Sequence, residues 1–111
     1  LSSIDTGLLM MGIIFARNYY DLDNETENSI RSLAVKLIER LDWDFFEMPA
    51  NSKYENTISM GWDPKEGMHQ MGWAGYNEAL FLYILAAGSG MENVDAAYNS
   101  WLASYDWRTR L

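Results

Sequence analysis

The chain contains no cysteine. Disulfides, thiolate metal sites and cysteine nucleophiles are therefore excluded. It has a single histidine, His69. That gives little support to a histidine-based metal site or a Ser-His-Asp triad, and a loop histidine is the simpler reading. Basic residues are scarce. Eight Lys and Arg stand against sixteen Asp and Glu, a net charge of −8 over 111 residues. No basic stripe can neutralise phosphates, so nucleic acid and anionic membrane are poor partners. Long apolar runs are also missing. The longest, Gly7 to Ala16, is too short to span a bilayer and follows no cationic segment of a signal peptide.

What is present is apolar and aromatic. Hydrophobic residues make up 49% of the chain, which predicts an ordered core. The chain opens on Leu1 and meets an apolar run within seven residues. It reads as a piece of a longer polypeptide, so a missing signal sequence carries no information about export.

The hydrophobic spacing predicts four helices. The first, about Asp5 to Tyr20, has no polar face and is expected to be buried all round. The second, about Asn24 to Leu41, places Ile30, Leu33, Ala34, Leu37, Ile38 and Leu41 on one face. Asn24 and Glu27 read as its cap and reciprocal carboxylate. Asp42 to Gly75 reads as irregular, with a hairpin pairing Ile58–Trp62 and Met68–Trp73 across the turn Asp63 to Gly67. The third helix, about Tyr76 to Ala87, is again wholly apolar, with Gly88 suited to end it. The fourth, about Val94 to Tyr105, is amphipathic. Buried, amphipathic, buried, amphipathic is a twofold repeat. It suits a double ring of inner and outer helices, whereas a four-helix bundle would make all four amphipathic.

Some signals are weaker. Asp21, Asp23 and Glu25 alternate like a calcium loop, but Thr26 and Ser32 occupy its glycine and bidentate-acid positions. Asn24-Glu25-Thr26 matches a glycosylation sequon by chance. Trp43, Phe45, Phe46, Trp101 and Trp107 read as packing, and so do the seven methionines.

Three stretches stand out together: Ser2-Ser3-Ile4-Asp5-Thr6-Gly7-Leu8-Leu9, Ile58-Ser59-Met60-Gly61-Trp62-Asp63-Pro64, and Trp73-Ala74-Gly75-Tyr76-Asn77-Glu78-Ala79-Leu80. In order and spacing they resemble the bacterial glucoamylase-like proteins, including the endo-β-1,2-glucanases of glycoside hydrolase family 144. Phe15 to Tyr20 and Leu85 to Ser89 share the likeness. The resemblance implies an (α/α)6 barrel, an all-α fold of which this chain would carry about two helical hairpins. It implies an exported, periplasmic or secreted hydrolase of β-glucan or oligosaccharide, working without metal or cofactor. The rest of the barrel would then cover the apolar faces.

Glycoside hydrolysis needs two carboxyl groups, one to protonate the leaving oxygen and one to activate water or attack. Asp5 and Glu78 are the candidates, each at the start of a buried helix. If those helices run parallel, both groups reach one mouth. Glu78, between Tyr76 and an apolar block, is the better acid. Asp5 would be the base or a substrate ligand. Trp62, Trp73 and Tyr76 could stack on sugar rings, and Asn77 could bond hydroxyls. For each residue a plain structural role competes: helix cap, dipole partner or packing. Two other functions stay open, a carbohydrate-binding module without catalysis and an acidic helical interaction module.

Overall fold

The computed structural model describes residues 1–103. The expected end of the fourth helix at Tyr105, and Trp107, lie outside them.

Helix α1 runs Ser3–Tyr19. Ser2 caps it, its hydroxyl oxygen accepting the Asp5 N–H at 3.3 Å. Asp5 is therefore a first-turn residue and not the cap. After the short turn 20–24 comes α2, Glu25–Glu39, which ends before the expected Leu41. Asn24 caps α2 as the spacing predicts, taking the Glu27 N–H at 2.9 Å. The Glu27 carboxylate does not return to Asn24. It accepts the Leu22 N–H at 2.8 Å instead, holding the turn itself. Arg31 donates to the carbonyls of Tyr20 and Leu22, closing the α1–α2 hairpin from the other side.

A 3-10 turn at Asp44–Phe46 leads into the long connection. Strands β1, Trp62–Asp63, and β2, Gly67–Met68, pair antiparallel, Trp62 with Met68 and Asp63 with Gly67. Asp63 stabilises the intervening turn by accepting the N–H groups of Lys65 and Glu66. The regular strands are shorter than the sequence suggests, although the N–H groups of Met60, His69 and Trp73 donate to the Met71, Gly61 and Ile58 carbonyls across the expected span, with a bridge at Ser59 and Gly72. The reason lies at the chain's start. The Met60 carbonyl accepts the Ser3 N–H and the Trp62 N–H donates to the Leu1 carbonyl, so the segment divides its hydrogen bonds between two neighbours.

Helix α3 runs Leu80–Gly88, and α4 Val94–Ala103. The expected start of α3 at Tyr76 is four residues too early. Gly75 (φ 87°) and Tyr76 (φ 38°) are left-handed, and a right-handed helix cannot contain them. Its end also differs. Gly88 closes the helix, and Gly90 (φ 81°) supplies the left-handed turn.

The core sits where α3 meets α4 and the long connection. Leu82, Tyr83 and Ala86 of α3 pack with Ala97 and Trp101 of α4, and with Trp43, Phe46, Ile58 and Met91. Helix α1 docks on the start of α3 through Gly7. A Cβ at Gly7 would lie 2.3 Å from Leu82 Cδ2 and 2.7 Å from Phe81 Cε2, so any larger residue there makes these side chains shift.

The expectation that α1 is buried all round is not met. Only Ser3, Gly7 and Met10 of α1 are buried, while Leu8, Leu9, Met11 and Phe15 are exposed. Ile84 of α3 is exposed as well. The molecule is a slab, 53 × 39 × 21 Å, with a radius of gyration of 16.1 Å. A compact domain of this length has about 13 Å. A slab this thin gives an apolar helix neighbours on one side only. Among the described residues the architecture is four helices and one two-stranded sheet. No helix there is long and apolar enough to cross a membrane.

Two outcomes follow. Gly7→Leu forces α1 off α3 and lowers stability by about 1–3 kcal/mol, read as a drop in Tm. An unchanged melt would contradict this packing. The 111-residue chain on its own associates as concentration rises, because α1 exposes a contiguous apolar surface. Sedimentation velocity showing a monomer at all concentrations would contradict that.

Candidate functional site

The starts of α1 and α3 lie side by side. Gly7, one turn into α1, touches Phe81 and Leu82 in the first turn of α3. Asp5 precedes this contact by two residues on one side, and Glu78 by three on the other. Both are exposed. Neither carboxylate has a hydrogen-bond partner among the described residues. Glu78 sits in the turn before α3, not on the helix.

This end is held by a buried hydrogen-bond chain. Ser3, fully buried in the first turn of α1, donates from Oγ to the Ser59 carbonyl at 2.5 Å. The same oxygen accepts the Trp73 indole N–H at 3.0 Å. Trp73 also donates its backbone N–H to the Ile58 carbonyl at 2.8 Å. Its own carbonyl accepts the Tyr83 hydroxyl at 2.6 Å, and that hydroxyl accepts the Ile58 N–H at 3.1 Å. Burial pushes the Tyr83 phenol far above its ordinary pKa, against the opposing pull of the Ile58 N–H.

Asn77 is the second hold. Its Oδ1 accepts the Ala79 N–H and the Trp101 indole N–H, both at 3.1 Å. Its Nδ2 donates to the Ala74 carbonyl at 3.0 Å. One amide thus fixes the turn that carries Glu78 and ties it to α4. Tyr76 is exposed, with its ring 5.2 Å from that of Trp101. A tyrosine at positive φ costs on the order of 1 kcal/mol or more, which the surrounding contacts must offset.

Trp62 stands elsewhere. Its ring packs edge-on to Phe45, 6.1 Å between centroids. It lines a cleft of about 640 Å³ with Ser2, Met60, Asp63, Met68, His69 and Met71 among others. Asp5 and Glu78 do not line that cleft. The sequence-selected residues therefore divide. Asp5, Trp73, Tyr76, Asn77 and Glu78 gather around the paired helix starts, and Trp62 belongs to the cleft.

Three residues that shape this end escape sequence reasoning as functional positions. Trp101 reads as packing, and it is fully buried, but its N–H also anchors Asn77. Ser3 and Tyr83 carry a signal in hindsight, each a polar group inside an apolar helix. Burial then demands a partner for each hydroxyl.

No protein-family model matches the chain, and no solved structure matches it. Among curated proteins, the chain is similar to an exo β-1,2-glucooligosaccharide sophorohydrolase (non-reducing end) of Parabacteroides distasonis. The two are 27% identical over 86 residues, covering 75% of this chain and 11% of that enzyme. The chain thus spans a small part of the relative it matches. At this level the likeness is to a glycoside hydrolase.

The buried phenol makes stability pH-dependent. A raised folded pKa favours the protonated fold. Its contribution is complete below the unfolded value of about 10 and is lost as pH rises beyond it. Urea midpoints should hold up to about pH 9 and fall above about pH 10. Tyr83→Phe removes part of that fall. At neutral pH it costs about 1–3 kcal/mol, because the Ile58 N–H is left unpaired. An equally steep alkaline fall in Tyr83→Phe would assign the dependence to other groups.

Proposed function

We propose that this chain is part of the catalytic domain of a glycoside hydrolase that cleaves β-glucan, with β-1,2-linked glucan as its substrate. The observation that carries this reading is the adjacency of the α1 and α3 starts. Each brings an exposed carboxylate, in a chain similar to a sophorohydrolase. Glu78 is the general acid and Asp5 the base or a substrate ligand. The amide of Asn77 and the indole N–H of Trp73 are engaged within the fold, so both act as positioning residues. Tyr76, its ring against Trp101, adds a part-exposed aromatic edge for a sugar. Trp62 offers another in the neighbouring cleft.

In this reading the domain is an (α/α)6 barrel of the family 144 type, and the chain supplies about two of its hairpins. Three observations support that: the paired hairpins, the thin slab and the exposed apolar side of α1. The remaining hairpins would cover that side and complete the mouth.

The test uses the complete protein and β-1,2-glucooligosaccharides. Glu78→Gln, which keeps shape and loses the acid, lowers kcat by about 10²–10⁴-fold with substrate binding retained. Asp5→Asn lowers turnover in the same assay. Unchanged turnover in Glu78→Gln would remove its role as the acid.

A further inference from the structure

Ser3 is a fully buried polar residue in the first turn of an apolar helix. The helix start does not need its hydroxyl, because Ser2 already supplies the cap. A buried hydroxyl costs stability unless its bonds are made. Those of Ser3 are made outside the helix. Its Oγ donates to the Ser59 carbonyl at 2.5 Å and accepts the Trp73 indole N–H at 3.0 Å. Its backbone N–H donates to the Met60 carbonyl at 3.1 Å. The hydroxyl proton and a lone pair are both engaged, so the side chain is held in one orientation.

The two partners lead to different parts of the molecule. Ser59 Oγ reaches the Gly61 and His69 carbonyls, at 3.0 and 3.1 Å, in the segment that carries Trp62. Trp73 opens the segment that leads to Glu78. That segment is braced. The Gly75 N–H donates to the Trp101 carbonyl at 2.9 Å, and the Asn77 amide bonds to Ala74, Ala79 and Trp101. Asp5 shares the first turn of α1 with Ser3. A displacement at Ser3 is therefore carried to Asp5 by the helix, and one at Trp73 is carried towards Glu78 by the braced turn. Glycoside hydrolysis is sensitive to such displacements, because the separation of its two carboxyl groups decides whether a water fits between them. A misplacement of about 1 Å, caused far from the chemistry, costs roughly 10²-fold in rate.

We propose that Ser3 is a positioning residue of the hydrolase site. Its hydroxyl holds α1 to Trp73 and so sets how Asp5 and Glu78 face a bound glucan. It touches no substrate and transfers no proton to one. The proposal rests on the hydrolase reading and extends it to a residue buried behind the two carboxylates.

The test uses the complete protein and β-1,2-glucooligosaccharides, well below the Tm of every variant. Ser3→Ala removes the hydroxyl and little volume. Its kcat is expected to fall by roughly 10–100-fold, with KM within about threefold of the unaltered value. Trp73→Phe removes the indole N–H from the other side of the same bond and is expected to show a similar fall. The double variant is expected to fall no further than the more affected single one, because both remove one interaction. Met91→Ala opens the core past the end of α3, lowers Tm and is expected to keep kcat. Unchanged kcat in folded Ser3→Ala overturns the proposal and leaves the hydrolase reading standing. So do effects of the two single variants that multiply, or an equal fall in Met91→Ala. Failure of both single variants to fold also overturns it, since the bond then serves the fold as a whole. Turnover retained in Glu78→Gln, assayed alongside, removes the hydrolase reading and this proposal with it.

Discussion

The arrangement depends on one buried hydroxyl. Tyr83 projects from α3 into the long connection, where its oxygen accepts the Ile58 N–H and donates to the Trp73 carbonyl. Both of those backbone groups lie in a segment with little regular structure of its own. Without a partner, each would be a buried polar group with an unmet bond, a cost of about 1–3 kcal/mol apiece. The phenol satisfies both at once. It also fixes Trp73, whose indole N–H then reaches Ser3 and secures the start of α1. A loop thus joins two helix starts, through backbone bonds to Leu1 and Ser3 and through the side chains of Ser3, Trp73 and Tyr83.

Much of this was legible. The helices of the first hairpin followed from hydrophobic spacing and from Asn24. The pairing around Asp63 followed from a turn sequence between short apolar runs. The start of α3 was not legible, because it turns on Tyr76 taking a left-handed backbone conformation beside Gly75. A glycine announces that freedom and a tyrosine does not. The partner of Glu27 was missed for a related reason. A carboxylate three residues past a cap can reach either of two N–H groups, and the path of the turn decides which. The candidate site was half legible. The family resemblance and a place at the start of a predicted helix singled out Asp5 and Glu78. They could not show that Asn77 and Trp73 would use their polar atoms inside the fold.

The most instructive failure is α1. A helix apolar on every side is read as buried on every side, because water would otherwise meet its side chains. Here the helix docks along the narrow stripe around Gly7 and leaves Leu8, Leu9 and Phe15 outside. The apolar pattern is real, and this chain supplies fewer neighbours than the pattern needs. Hydrophobicity reports how much surface needs cover. It does not say which residues provide it.

The bonds that define the candidate site join distant points in the chain. Ser3 and Ser59 are 56 residues apart, and Ser3 and Trp73 are 70 apart. The two helical hairpins, by contrast, close over short turns. Contacts of such different reach are not made together, since the entropy of closing a long loop is lost before its bonds form. The hairpins can organise first as local units. Loop-closure entropy then favours the segment around Trp73 and Asn77 setting last, against helices already in place. On that order the carboxylate end is the final part of the chain to acquire its shape, and the first to lose it when the long connection loosens.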